Sequence, residues 1–175
     1  IKKGDKIVIY SYNSPEWGAI LLACAISGVI AVPVDFNSRL DFVEKIYRKV
    51  KAKAVFCSRW KRLLKKGIKQ AFIEDFTETI QKYSKYRCKA NIKADDILEI
   101  VYTSGTMSEP KGVIITHRNL VSNIRSMRQI MTLDSKSIFL SLIPLSHLLE
   151  QTAGFFIPLR FGCKIVYIQS RKSST

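Results

Sequence analysis

Short apolar runs alternate with longer amphipathic stretches over the first third of the chain. The runs at 6–12, 29–34 and 54–58 are rich in β-branched residues and predict strands, whereas 14–28 and 41–52 predict helices. Strands that are apolar at nearly every position are typical of parallel sheets with helices on both faces. The pattern therefore predicts a βαβαβ unit in an α/β fold, with a largely parallel sheet covered by helices.

The longest uncharged run, residues 17–34, also has to be considered as a membrane span. Its 18 positions only reach the lower limit for a spanning helix. Gly28 is well placed to end a helix, and Pro33 disfavours continuing one. Ser14 followed by Pro15 is typical of a helix start. We therefore interpret the run as a helix, a turn and a buried strand.

The alternation continues beyond this first unit. Up to residue 96 it predicts a basic helix at 60–66, a strand at 70–75, a helix at 77–83 and a polar connector at 84–96. Two strands then follow around a loop, at 97–104 and 113–117, and a helix at 118–131. The last predicted elements are a strand at 137–144, a helical segment at 147–162 that is interrupted near Pro158, and a strand at 163–169. We expect one incomplete domain. It comprises a βαβαβ region over 1–83, the connector, and a loop-centred region over 97–175.

The chain is strongly basic, and this widens the range of partners to consider. Its 175 residues include 29 basic and 14 acidic ones, a net charge of +15, with the highest density between 45 and 70. Basic residues interleaved with apolar ones are typical of elements with one buried and one solvated cationic face. The alternative is a surface that binds nucleic acid or an anionic membrane. No zinc-finger, recognition-helix or RNA-binding motif accompanies the charge.

The four cysteines are widely spaced in the sequence. Cys24, Cys57, Cys88 and Cys163 form no close pair of the kind that zinc sites or disulfide frameworks show. We expect reduced, packed thiols and a cytoplasmic protein.

The stretch from 102 to 112, YTSGTMSEPKG, collects hydroxyl side chains around one glycine, with a lysine close behind. Gly105 and Lys111 have the spacing of the first glycine and the lysine of a Walker A loop. However, Pro110 replaces the second glycine, and strand-like residues follow where that motif has a helix. Such a loop can wrap an oligophosphate through hydroxyls, backbone N–H groups and a cation. It can equally be a plain turn between two strands, with the lysine in solvent.

A longer stretch, IVYTSGTMSEPKGVIITHRNL at 100–120, resembles the signature loop of the adenylate-forming superfamily. That superfamily includes acyl-CoA synthetases, firefly luciferases and the adenylation domains of peptide synthetases. GDKIVIYSYNSPEW, SGVIAVPVD, the acidic pair Asp95 and Asp96, and PLSHLLEQ resemble further family blocks in the same order. The resemblance covers essentially the whole chain. It implies part of the large N-terminal domain of an acyl-CoA synthetase-like enzyme.

The resemblance also implies a reaction and a phosphate site. A carboxylate attacks the α phosphate of ATP to give an acyl-adenylate and pyrophosphate, and a thiol, usually that of coenzyme A, then takes the acyl group. The residues that would contact the β and γ phosphates are Thr103, Ser104, Gly105, Thr106 and Lys111, with Thr103 closest to Mg²⁺. One departure is Met107, which stands where the family usually has threonine and removes a hydroxyl donor.

The two histidines are expected to have different roles. The block IPLSHLLEQ resembles that of acyl-CoA synthetases rather than amino-acid-activating domains, so the resemblance favours a fatty or aryl acid and places His147 at the acyl and thiol pocket. The alternative is that His147 simply caps the segment that it precedes. His117 is expected to be structural, because it lies where a strand gives way to a helix.

The expected partners are a small carboxylic acid, ATP and coenzyme A, with Mg²⁺ as cofactor and no nucleic acid. The family blocks for adenine, ribose and the catalytic lysine do not occur in these 175 residues, so we expect no catalytic residue and no turnover from this part alone. Two alternatives stay open. One is a basic module that binds nucleic acid or anionic lipid, with peripheral membrane contact. The other is a degenerate relative, marked by Met107, that retains nucleotide binding without catalysis.

Overall fold

The computed structural model describes residues 1–61, 67–83, 89–103, 110–128 and 133–168. The strands are β1 (Lys6–Tyr10), β2 (Ile30–Pro33), β3 (Ala54–Cys57), β4 (Gln70–Phe72), β5 (Ile97–Thr103), β6 (Lys111–Thr116), β7 (Ile138–Ser141) and β8 (Lys164–Tyr167). The helices are α1 (Pro15–Ser27), α2 (Leu40–Val50), α3 (Phe76–Gln81), α4 (His117–Arg128) and α5 (Ile157–Phe161). A π-helical turn, Glu150–Phe156, precedes α5, and short 3₁₀ turns cover Arg59–Lys61 and Ile73–Asp75.

Six strands form one mixed sheet in the order β4-β3-β1-β2-β5-β6. The pairs from β4 to β5 are all parallel, and β6 joins β5 antiparallel. The predicted α/β class and the largely parallel sheet are confirmed. A feature that the sequence did not predict is a second, separate sheet, in which β7 and β8 pair in parallel.

Strand β1 shows why its run is apolar from Ile7 to Tyr10. Ile7 and Ile9 belong to a core cluster under α1, whereas Val8 and Tyr10 belong to a second cluster under α2. Alternate side chains of a strand point to opposite faces, so helices that cover both faces bury every position.

The uncharged run divides as predicted. Ser14 Oγ accepts a hydrogen bond from the Trp17 N–H at 3.2 Å and caps α1. Gly28 follows the last helical residue with φ of 68°, a left-handed conformation that favours glycine, and β2 begins at Ile30. Within the described ranges, no helix combines the length and the hydropathy that crossing a membrane requires.

Helix α2 has the predicted division into a buried and a cationic face. Val43, Ile46 and Val50 are buried, whereas Lys45 and Arg48 are exposed. The basic helix predicted at 60–66 is described only at its start, where Trp60 lies in a 3₁₀ turn, and its remainder is outside the described residues. The interruption predicted near Pro158 is a change from the π-helical turn to α5 at Ile157.

The cysteines within the described ranges are free thiols. Cys24 and Cys57 are buried, and Cys163 is partly exposed; burial raises the pKa of Cys24 to about 12 and that of Cys57 to about 11. Thiols with such values stay protonated and unreactive near neutral pH. This agrees with the packed thiols expected from the spacing, and Cys88 lies outside the described residues.

Candidate nucleotide and acyl site

The hairpin of β5 and β6 brings the two ends of the hydroxyl-rich loop together. Thr103, the last residue of β5, is the register partner of Lys111, the first residue of β6. Lys111 is exposed at this position. Of the predicted phosphate contacts, Ser104, Gly105 and Thr106 lie outside the described residues, as do Met107 and the Thr103 side chain. The structure thus fixes the base of the loop, and the residues after it are a strand, as the sequence predicted.

A second cation lies at the base of the loop. The Nζ of Lys49, near the end of α2, donates a hydrogen bond to the Pro110 carbonyl oxygen at 3.0 Å. Pro110 itself is buried. No sequence motif points to Lys49, because the contact joins residues that are 61 positions apart. Only the folded chain brings α2 to the start of β6.

A cavity of about 520 Å³ opens where β2 and β5 end. Ligand pockets typically have volumes of this order and combine apolar walls with a few polar groups. The residues that line it are Pro33, Val34, Asp35, Asn37, Ser38, Phe42, Val101, Tyr102, Ser146 and His147. Because Val101 and Tyr102 directly precede Thr103 in β5, the cavity and the base of the loop share one strand.

His147 lies in the wall of this cavity, opposite Asp35. The distance from His147 Nε2 to Asp35 Oδ2 is 3.6 Å. The other oxygen of Asp35, Oδ1, accepts a hydrogen bond from the Asn37 N–H at 2.7 Å, so the carboxylate is held by its own turn. Asp35 is a second residue that the sequence analysis missed, since 112 positions separate it from the histidine.

The backbone and the side chain of His147 have different surroundings. Its backbone belongs to a helical start, because its N–H donates to the Pro144 carbonyl and its own carbonyl accepts from the Gln151 N–H. Its side chain nevertheless lines the cavity and is 58% exposed, so it is accessible to a ligand.

A buried carboxylic acid lies two residues before Val101. Glu99 of β5 is 1% exposed, and burial raises its pKa to about 7. Neither of its carboxylate oxygens has a hydrogen-bond partner among the described residues. Gln151 is equally buried and belongs to the π-helical turn. The signal in the sequence was a single glutamate in the otherwise apolar strand ILEIVYT.

His117 and the acidic pair have structural contacts. His117 is the first residue of α4, and its N–H donates to the Asp96 carbonyl oxygen at 3.1 Å. Burial lowers the pKa of His117 from its ordinary value, against the opposing effect of the Asp96 charge. Asp95 accepts two hydrogen bonds from the Arg118 guanidinium, at 2.7 and 2.9 Å. These contacts agree with the structural interpretation of His117.

Metal-binding groups are sparse around these residues. Among the side chains that the structure describes, no three His, Cys, Asp or Glu residues cluster closely enough to hold a metal ion. A Mg²⁺ ion carried by a nucleotide is usually held by phosphates, waters and one or two protein oxygens. Two lysines lie at the base of the loop: Lys111 begins β6, and Lys49 binds the Pro110 carbonyl oxygen.

Comparison with known proteins identifies relatives over nearly the whole chain. Over 97% of its own length, the chain is 26% identical to the peroxisomal long chain acyl-CoA synthetase 6 of Arabidopsis thaliana. Over 93% of its own length, it is 26% identical to long-chain-fatty-acid–CoA ligase 1 of Cavia porcellus. It spans 28% of the length of each relative.

The fold is shared with solved structures. ATP-bound MatB from Rhodopseudomonas palustris superimposes with a TM-score of 0.83 at 20% sequence identity, over 97% of this chain and 36% of that one. The family model for AMP-binding enzymes matches residues 1–175. With the loop hairpin and the adjoining cavity in the positions described, the chain belongs to the AMP-binding enzyme family.

Proposed function

We propose that the full-length protein containing this chain activates a carboxylic acid with ATP and then transfers the acyl group to coenzyme A. The observation that carries this proposal is the continuity of β5. Val101 and Tyr102 line the cavity, and Thr103 begins the loop hairpin. An acid held in the cavity would have its carboxylate next to a triphosphate held by the loop.

The phosphate side of the proposal rests on donors and charge. Hydroxyl and backbone N–H donors of Thr103, Ser104, Gly105 and Thr106 would bind the β and γ phosphates, and Lys111 would neutralise them. Mg²⁺, held with help from the Thr103 hydroxyl, would supply further charge neutralisation on the phosphates. The carboxylate oxygen forms a bond to the α phosphorus, and the bond to pyrophosphate breaks. Positioning and preorganised charge are the main requirements of such a step.

The acyl side of the proposal rests on the cavity and on the relatives. The wall formed by Val34, Phe42 and Val101 suits an apolar acyl group. The two relatives described are named as a long chain acyl-CoA synthetase and a long-chain-fatty-acid–CoA ligase. We propose a fatty acid as the substrate. His147, next to Asp35 on the polar side of the cavity, would lie where the thiol sulfur attacks the acyl carbonyl and AMP leaves.

Exchange of labelled pyrophosphate into ATP, measured on the full-length protein with a series of fatty acids, tests the proposal. We expect exchange that depends on the acid, and a loss of roughly 100-fold in Lys111→Ala, as when one preorganised charge-stabilising donor is removed. Lys136→Ala, which changes an exposed lysine in the turn before β7, is the matched control and should keep full exchange. Absence of exchange with every carboxylate tried would contradict the proposal.

A further inference from the structure

The side chain of Asn13 connects the loop after β1 to a segment far along the sequence. Its Nδ2 donates hydrogen bonds to the Ile143 carbonyl oxygen at 2.7 Å and to Ser141 Oγ at 2.9 Å. Its Oδ1 accepts from the Leu145 N–H at 2.7 Å. The partners lie between 128 and 132 positions later in the chain. A single amide thus binds three groups of one short segment.

This segment leads directly to the wall of the cavity. Strand β7 ends at Ser141, and Ser146 and His147 follow the last partner of Asn13. Leu142 is 68% exposed, so packing contributes little there. Leu145 is buried in the core cluster under α1 and anchors the segment from below. The hydrogen bonds of Asn13 are directional, and they fix where the segment lies along the edge of the cavity.

The chemistry of the contact requires an amide. Two of the three partners accept hydrogen bonds from Nδ2 and one donates to Oδ1, so the side chain must carry donors and an acceptor together. An aspartate would keep the acceptor but would set a charged oxygen against the Ile143 carbonyl. An alanine would leave all three groups without this partner.

We propose that Asn13 is a positioning residue for the acyl and thiol pocket, which sets the place of Ser146 and His147 opposite Asp35. The term acyl and thiol pocket rests on the proposed function, but the positioning of Ser146 and His147 by Asn13 does not. The contact that depends on this positioning is the one between His147 Nε2 and Asp35 Oδ2, which are 3.6 Å apart. Asn13 acts on this contact through the backbone of residues 141–145.

Imidazole NMR spectra of the full-length protein test the proposal, with the signals of His147 and His117 identified by their loss in His147→Gln and His117→Gln. The variants are Asn13→Asp, which keeps the size of the side chain, and Asn13→Ala. His117, at the start of α4, is the internal reference. Ser14→Ala is the matched control, because it removes the neighbouring cap of α1 and leaves residues 141–145 untouched.

We expect the ring signals of His147 to move in both Asn13 variants while those of His117 stay in place. Ser14→Ala should lower the unfolding temperature without moving either histidine. His147 signals in Asn13→Asp that superimpose on those of the unaltered chain would overturn the proposal, and so would an equal shift in Ser14→Ala. The spectra require neither ATP nor acid, so a failed pyrophosphate exchange would overturn the ligase proposal alone.

Discussion

At the scale of single residues, the buried carboxyl group of Glu99 makes the stability of the fold depend on pH. Its pKa is raised from an ordinary value of 4.5 to about 7 because burial disfavours the charged carboxylate. The raised value means that the folded chain binds this proton more tightly than the unfolded chain does. The resulting stabilisation is fully present below pH 4.5 and is lost as the pH rises through about 7. A shift of this size corresponds to about 3 kcal/mol.

Glu99→Gln should remove this dependence, because the amide has no proton to lose in this range. As the pH rises from below 4.5 to above 7, we expect the free energy of unfolding of the unaltered chain to fall by about 3 kcal/mol relative to that of Glu99→Gln. Urea unfolding at a series of pH values measures it. Glu78→Gln, at an exposed position in α3, is the control and should show little change. A difference for Glu99→Gln that stays constant with pH would contradict the assignment.

At the scale of elements, α1 packs tightly against the π-helical turn that carries Gln151. A Cβ atom on Gly18 would lie 2.5 Å from Cε2 of Phe155, which is itself 5% exposed. Alanine in place of glycine ordinarily favours a helix by about 1 kcal/mol. Here the added methyl group must displace a buried ring, and such overpacking typically costs about 1–3 kcal/mol.

Gly18→Ala should therefore destabilise the chain, and a smaller residue at 155 should relieve the conflict. We expect the double variant Gly18→Ala, Phe155→Leu to lose less stability than the sum of the two single changes, because both act on one contact. Urea denaturation of the four proteins completes the cycle. Additive losses, or a stabilising Gly18→Ala, would show that the two elements do not meet as described.

The elements also show which parts of the fold the sequence can predict. The division at Gly28 was predictable because a glycine after a helix and a β-branched run are local signals. The pairing of β7 with β8 in a sheet of their own was not, since apolar periodicity identifies a buried face and not its partner. The π-helical turn left no distinct pattern either, because it continues a helical run with one wider turn.

At the scale of the whole molecule, the site is assembled from distant parts of the chain. Asp35 follows β2, Tyr102 lies near the end of β5, and His147 follows β7, while Asn13 approaches from the loop after β1. Ligands in α/β folds usually bind at the carboxyl ends of the parallel strands. The motifs predicted the loop and His147 as candidates, but the contacts of Asn13, Asp35 and Lys49 depend on the tertiary fold. The sequence alone therefore identified candidate residues but not the geometry between them.

In the proposed function, the loop between β5 and β6 holds the triphosphate of ATP beside the cavity. A crystal structure of the full-length protein with MgATP tests it most directly. We predict phosphate oxygens within hydrogen-bonding distance of Thr103 Oγ1 and of Lys111 Nζ, with the α phosphate facing the cavity that His147 lines. A triphosphate bound elsewhere, or loop hydroxyls packed against the protein with no space for an anion, would contradict the account.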